Sequence, residues 1–402
     1  MKIGIFGNTN NSPFMLAKAL KRLGCEIRLV VNRPEALHRP ESKDRELEKG
    51  YPAWIADFAA LTSSYLVTES PLIPEVMRFL GDGLDAVILN DVGLALNDGR
   101  FDCPVLAMLT GSDLLYHASD EALNEATSGW PAEWFDTPAG QKIVERIRHA
   151  IDAQREGIRR ADAINFMPPG VVPQGDAMLR SLGVGLEDSR RFALRIADTD
   201  DLKSRPFSPR RRMRILNGAR IIWHRPLPPG FSDLDHKGTD LLIKGFAAFR
   251  SKGGEGQLRL VNKGYDVERT RQLIAELDIA ADVVWLDELS HVGFYEEIVN
   301  ADVVCDQFGT SMPGMVTIDA LTLGRVVLAN FRLECLGTYY PEPRPFLDAA
   351  TPEEICDALW ALYSEPSKRT MIGQRAGDYM RASFSPDACA RQLLERLGLK
   401  LM

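Results

Sequence analysis

The sequence predicts an α/β protein of two Rossmann-like open domains, each a mostly parallel sheet flanked by helices. Three observations predict it. At 402 residues the chain is too long for one core and divides naturally into two domains of roughly 200 residues. Short, nearly continuous apolar strands alternate with amphipathic stretches in both halves, the pattern of buried parallel sheet. Loops rich in Gly, Asn, Thr and Pro fall at the carboxyl ends of those strands, where open α/β sheets bind ligands. Two such domains are expected to face one another across a central cleft.

In the first half, residues 2–6 read as a strand, followed by the polar loop Gly7-Asn8-Thr9-Asn10-Asn11-Ser12-Pro13. Helical periodicity runs over 14–23, and a second strand over 26–31 completes a βαβ opening. No GxGxxG is present, which disfavours a tightly bound NAD or FAD, and no cofactor is expected. Residues 35–50 read as a charged loop, and Trp54, Phe58 and Leu61 within 51–66 as an apolar helix face. Further strands are expected at 85–89, 103–109 and 163–166, with a long helix over 141–160. Thr110-Gly111-Ser112-Asp113 again lies at the carboxyl end of a strand.

Residues 199–212 are polar, charged and carry Pro206 and Pro209, so the interdomain linker is placed there. The first domain is expected over 1–205, the second over 206–383, with a helix at 384–402 returning to the first. Strands at 213–217, 257–261 and 283–286 alternate with helices at 236–250, 267–277 and 293–299. Helices at 352–363, 367–382 and 386–397 end the chain. The second domain is organised around residues 301–330. There an apolar strand tipped by Asp306 leads into Gly309, Pro313 and Gly314, then an amphipathic segment over 315–323 and a second apolar strand. A glycine loop opening a helix presents unpaired N–H groups and the positive end of the helix dipole, a geometry suited to phosphate. The same pattern also suits an ordinary βαβ connection.

Composition narrows the function. A formal charge of −8 argues against a nucleic-acid partner, which would require a basic face. Six scattered cysteines without a CxxC look like small core residues of a reducing compartment. Residues 1–6 run straight into a strand, and no apolar run approaches membrane-spanning length. A cytoplasmic protein with at most peripheral contact to the inner face of a membrane is expected. The histidines form no HExxH or other metal spacing, and there is no Gly-x-Ser-x-Gly elbow. No metal site is expected.

Several ordered segments then point one way. They are Gly218-Ala219-Arg220, His236-Lys237-Gly238-Thr239-Asp240, Leu258-Arg259-Leu260-Val261 with Gly264, and Ala301-Asp302-Val303 leading to Gly314, Asp319-Ala320-Leu321, Gly324 and Val326-Val327. Over 213–330 the chain resembles the GT-B glycosyltransferases, specifically family 4; the first half is similar to them in architecture only. The resemblance implies transfer of a sugar, with retained anomeric configuration, from a nucleotide-diphosphate sugar to an acceptor hydroxyl. The first domain would bind the acceptor (a sugar, a glycolipid or a small molecule) and the second the nucleotide-sugar donor, in polysaccharide or glycoconjugate biosynthesis.

The residues allow that chemistry. Negative charge on a departing phosphate must be stabilised, and without an acidic metal-ligand cluster two cations and a helix N-terminus are the means. Arg220 offers a planar fork of donors, with Arg225 its rival, and Lys237 a point charge. The donor loop would comprise Ser311, Met312, Pro313, Gly314, Met315 and Val316, with Gly7 and Asn8 reaching the donor from the first domain. The resemblance assigns Asp319 to the ribose hydroxyls. Two positions depart from the pattern: Ser311 stands where the family has a glutamate, and Thr110 where it has a histidine. Asp113 is the candidate for orienting or deprotonating the acceptor, its competing reading being a cap for the helix from Leu114; His117 is the runner-up. The alternatives are a nucleotide-sugar epimerase on the same fold and a catalytically inactive nucleotide-binding partner subunit.

Overall fold

The computed structural model describes residues 1–227, 233–309, 314–336, 340 and 342–400, without the side chains of Glu125, Leu234 and His291. It divides into two units. Met1–Ile196 with Pro386–Met402 forms one, and Ala197–Ser385 the other.

The first unit is a parallel sheet of seven described strands: β1 (Lys2–Phe6), β2 (Glu26–Val31), β3 (Ile55–Asp57), β4 (Ala86–Asn90), β5 (Val105–Met108), β6 (Ala163–Asn165) and β7 (Arg191–Phe192). Their order is β3-β2-β1-β4-β5-β6-β7. Ile5 stands opposite Leu29 of β2 and Ile88 of β4, all fully buried, as strands covered on both faces require. The helix Ser12–Arg22 buries Phe14, Leu16, Ala17 and Leu20, and the C-terminal helix Pro386–Arg396 adds Cys389, Leu393 and Leu394 to the same core. That shared apolar face is why the end of the chain returns to its beginning.

One expectation over 51–66 fails. Ile55–Asp57 is an edge strand paired with β2, Leu29 opposite Ile55, and the helix begins only at Ser64. Trp54 lies parallel to the Phe14 ring at 6.2 Å, so its apolar surface is satisfied by packing on the neighbouring helix rather than by a helical face of its own.

The second unit repeats the design with β8 (Met213–Asn217), β9 (Gly256–Val261), β10 (Val283–Leu286), β11 (Val303–Cys305), β12 (Val326–Ala329) and β13 (Leu347–Asp348), ordered β10-β9-β8-β11-β12-β13. Residues 199–212, where the interdomain linker is expected, lie within this unit. Ala197 and Leu202 join its core. Arg210 N and Arg214 N donate to the buried carboxylate of Asp302 at 3.0 and 2.9 Å, and Arg369 Nη1 donates to it at 2.7 Å. Polar composition here marks a network, not a tether. Among the described residues no helix is long and apolar enough to cross a membrane.

Candidate functional site

In each sheet the strand order reverses between the first and fourth strands in sequence, and the crevice at their carboxyl ends is where such sheets take ligands. In the second unit that point lies between β8 and β11. Gly218 N donates to Cys305 O at 2.9 Å, closing the two strand ends together. A Cβ on Gly218 would stand 2.2 Å from Val316 Cγ1, so the helix Met315–Thr322 lays its first turn directly over the end of β8.

Lys237 is anchored at this point by its own backbone. Its N–H donates to Ile222 O at 2.7 Å, and its carbonyl accepts from Phe308 N at 2.8 Å and Gly309 N at 3.1 Å. The next residue, Gly238, has φ +68°, and a Cβ there would meet Gly309 N at 2.5 Å. Only glycine fits, and the turn places Lys237 just before the helix Thr239–Ser251 rather than in it, as the sequence led one to expect. Burial draws the ammonium below its ordinary pKa; Asp235 and Asp306 oppose that shift and Arg220 adds to it. Arg220 is half exposed, its guanidinium 3.8 Å from the Asp235 carboxylate. Two cations therefore converge at one sheet end, one of them desolvated. Arg225, the rival, is instead bonded to Asp233 at 2.7 Å.

The helix N-terminus opposite is partly occupied. Asp306, buried just past β11, accepts from Gly314 N and from Thr317 Oγ1, each at 2.7 Å. Burial pushes this carboxyl up, and the bonds from Thr317 and Gly314 pull it back. The Gly314 N–H expected to face a phosphate is thus committed to Asp306, and the expected donor set narrows to Met315 and Val316 of the first turn. Ser311, Met312 and Pro313 lie outside the described residues. Asp319 is half-buried on the same helix, its carbonyl accepting from Leu323 N at 2.9 Å. Around this sheet end Asn217 Oδ1, His236 Nδ1, Thr239 Oγ1 and Gln307 Oε1 are buried without hydrogen-bond partners among the described residues. Buried polar atoms are ordinarily satisfied, and these four remain available at the ligand end of the sheet. Sequence reasoning missed Asp306 as a cap, although the acidic tip of an apolar strand was its signal, and missed the amides altogether.

In the first unit several expected assignments are corrected. Asn8 is fully buried: Nδ2 donates to Asn11 Oδ1 and His38 O at 2.7 Å each, and Oδ1 accepts from Phe14 N at 2.9 Å. Gly7, at φ +96°, makes the tight passage under Asn90 O, where a Cβ would stand 2.5 Å away. Both residues build the loop, and the Asn8 amide has nothing left to offer a donor sugar.

Asp113 is likewise consumed. Its carboxylate accepts from Thr110 N at 2.8 Å, Thr110 Oγ1 at 3.0 Å, Gly111 N at 2.9 Å and Leu114 N at 3.1 Å. It is fully buried and ties down the Thr110–Gly111 turn rather than capping a helix from Leu114: the helix Ser112–Leu115 begins before it, with Gly111 as its cap and no side-chain capping bond. Burial pushes this carboxyl up to about 6. A carboxyl whose folded pKa exceeds its unfolded value stabilises the fold at low pH, and that contribution fades as pH rises through the folded value. Between about pH 4 and 7 wild-type Tm should therefore carry a downward component, on the order of 2–3 kcal/mol of stability. Asp113→Asn should flatten that slope in a pH series of thermal melts.

What the first sheet end offers instead is an ionic cluster. Asp91, buried at the end of β4 and held at φ +58°, takes a two-pronged contact from Arg33 (2.7 and 2.9 Å) and a bond from Asn32 Nδ2 at 2.7 Å. Burial works against this carboxylate, yet the Arg33 bond and charge hold it below the usual range. Arg33 Nη2 also lies 3.2 Å from His117 Nε2. Arg33 and His117 line a cavity of about 1020 Å3 that runs to the long helix Pro138–Arg160.

No family model matches this chain, and no curated protein matches it in sequence. Solved structures do match it in shape. HepE from Anabaena in complex with UDP superposes with a TM-score of 0.61 at 15% identity, over 99% of this chain and 100% of that one. Sucrose-phosphate synthase from Thermosynechococcus elongatus gives 0.58 at 15%, over 98% of each chain. The lipopolysaccharide outer core galactosyltransferase WaaB, in its apo form, gives 0.56 at 15%, over 99% of each. At these identities the likeness shows the fold, GT-B, and the site argument must come from this chain's own residues.

Proposed function

We propose that this protein is a glycosyltransferase that moves a sugar from a nucleotide-diphosphate donor to an acceptor hydroxyl. The observation that carries the reading is Lys237: a desolvated ammonium, fixed by three backbone hydrogen bonds beside Arg220 at the ligand end of the second sheet. A cation in that state gains most from a dianion, and a diphosphate leaving group supplies one. HepE was solved with UDP and with UDP-glucose, which makes uridine diphosphate sugars the first donors to try.

In the step, the bond between the anomeric carbon and the distal phosphate oxygen breaks, and its electron pair leaves on the nucleoside diphosphate. The acceptor oxygen bonds the anomeric carbon, and its proton passes to the departing phosphate oxygen. Lys237 and Arg220 stabilise the charge accumulating on that phosphate; the half-buried Asp319 is assigned to the ribose hydroxyls. Retention of configuration, membership of family 4 and a role in polysaccharide or glycoconjugate assembly belong to the same proposal. So does metal independence, which transfer in the presence of EDTA tests.

A second reading, a nucleotide-binding subunit without turnover, is favoured by Asp306, which already occupies part of the helix N-terminus. Thermal melts with nucleoside diphosphates, followed by transfer assays with and without EDTA, decide between them. The expected result is a rise in Tm with one nucleotide and EDTA-resistant transfer from its sugar conjugate. A rise in Tm with no turnover on any acceptor favours the second reading. No rise with any nucleotide overturns both.

A further inference from the structure

The donor chemistry leaves unused the large cavity of the first unit, whose walls differ in chemistry. At the sheet end the lining is polar, with Thr9, Asn10, Thr110 and Ser112 bringing hydroxyl and amide groups to it. His38 belongs to this wall in a defined form. Asn10 N donates to His38 Nδ1 at 2.9 Å, so Nδ1 is an acceptor and the ring proton sits on Nε2. Burial draws its pKa below the ordinary value, which keeps the ring neutral at pH 7.

The other wall is apolar. Ile143, Ile147 and Ile151 recur every fourth residue of Pro138–Arg160 and so share one face of that helix. Trp130 adds an indole to the same cavity, its ring edge-on to Trp134 at 4.4 Å. The two arginines of the lining already have carboxylate partners: Arg33 has Asp91, and Arg146 has Glu69 at 2.8 Å. Neither calls for an anionic ligand. At about 1020 Å3 the space sits at the upper end of the roughly 300–1,000 Å3 usual for ligand pockets, more than one sugar ring fills.

We propose that this cavity binds an amphiphilic acceptor, with an uncharged polyhydroxyl head against the Asn10–His38 wall and an apolar group along Ile143, Ile147 and Trp130. The word acceptor rests on the glycosyltransferase reading; the binding does not. The same chemistry comes from two sources, a soluble alkyl or aryl glycoside and a glycolipid in a bilayer.

The test is a tryptophan-fluorescence titration of the whole protein with n-octyl β-D-glucoside below its micelle concentration, with glucose, and with n-octyl phosphate. Octyl glucoside should bind at least about tenfold tighter than glucose, because burial of its chain adds to the head-group contacts. Ile147→Asn and Trp130→Ala should each weaken octyl glucoside about tenfold and leave glucose unchanged; isothermal calorimetry replaces fluorescence for the tryptophan variant. If either variant unfolds, protection of Pro138–Arg160 from hydrogen exchange by octyl glucoside carries the test on the unmodified chain. Equal binding of glucose and octyl glucoside, binding of neither, or preference for octyl phosphate overturns the proposal. Phosphatidylcholine vesicles with and without a glucosyl diacylglycerol then separate the sources: selective binding to the doped vesicles identifies the glycolipid, its absence the soluble glycoside, and both accord with the proposal. Nucleotide melts are independent of this titration, so failure of one reading is not mistaken for failure of the other.

Discussion

Lys237→Ala is expected to lower kcat for sugar transfer by about 10²–10³, the loss typical when one preorganised donor to a developing anion is removed, roughly 2.7–4 kcal/mol. The donor KM should rise less than kcat falls, because the charge on the leaving phosphate grows only as the anomeric bond breaks. Lys237→Arg should recover part of the loss: the charge survives, but a planar fork does not replace a compact ammonium in a half-buried position. The pH profile offers an independent check. Burial lowers the Lys237 pKa, so activity should decline on the alkaline side earlier than an ordinary lysine would dictate. A bound diphosphate restores the charged form, so nucleotide binding at alkaline pH should take up protons. Calorimetry in buffers of different ionisation enthalpy measures that uptake. A Lys237→Ala enzyme with unchanged kcat would remove the residue from phosphate stabilisation.

Arg369→Met is expected to destabilise the second unit by about 3–5 kcal/mol in urea unfolding. Arg369 and Asp302 are both fully buried, and their 2.7 Å contact ties the helix Pro366–Phe384 to the start of β11. Removing the guanidinium strands a carboxylate that has been taken out of water. Asp302 keeps the Arg210 and Arg214 N–H groups and Arg210 Nη1 at 3.3 Å, which places the effect toward the lower end of that range. Methionine also removes the bond from Arg369 Nη1 to Arg210 O at 2.9 Å, while Nε and Nη2 have no hydrogen-bond partner among the described residues. Combining Arg369→Met with Asp302→Asn should recover much of the loss, since the stranded charge goes with the second substitution. A double variant no more stable than the single would show that the helix contact, not the charge, holds the unit.

The site was legible where chemistry is written into local sequence. Lys237-Gly238 could be found because the left-handed turn after Lys237 demands glycine and the lysine precedes a helix. Gly218 could be found because a strand end pressed against a helix leaves no room for a Cβ. The misjudged residues share a different cause. Asn8 and Asp113 sit in ligand-like loops, yet each spends its polar atoms on backbone groups brought together by the turn of the chain. Their residue types are the same whether they face a ligand or a loop, so only the fold distinguishes the two uses. The Arg33–Asp91–His117 cluster was invisible for another reason: it gathers residues 58 and 84 positions apart, from two strand ends and the end of the helix Ser112–Leu115.

By itself the sequence determined the two-domain α/β class, nearly all the strands and helices, and the segment that carries the basic pair. These follow from apolar periodicity and from glycines whose backbone geometry admits nothing else, both local properties of the chain. Tertiary structure alone decided that residues 197–212 belong to the second unit, that Asp306 takes up the Gly314 N–H, and that the first unit has an open cavity with a polar and an apolar lining. Each of those depends on which partner a polar or apolar group finds across the fold, and that is settled only when the sheet ends are brought together.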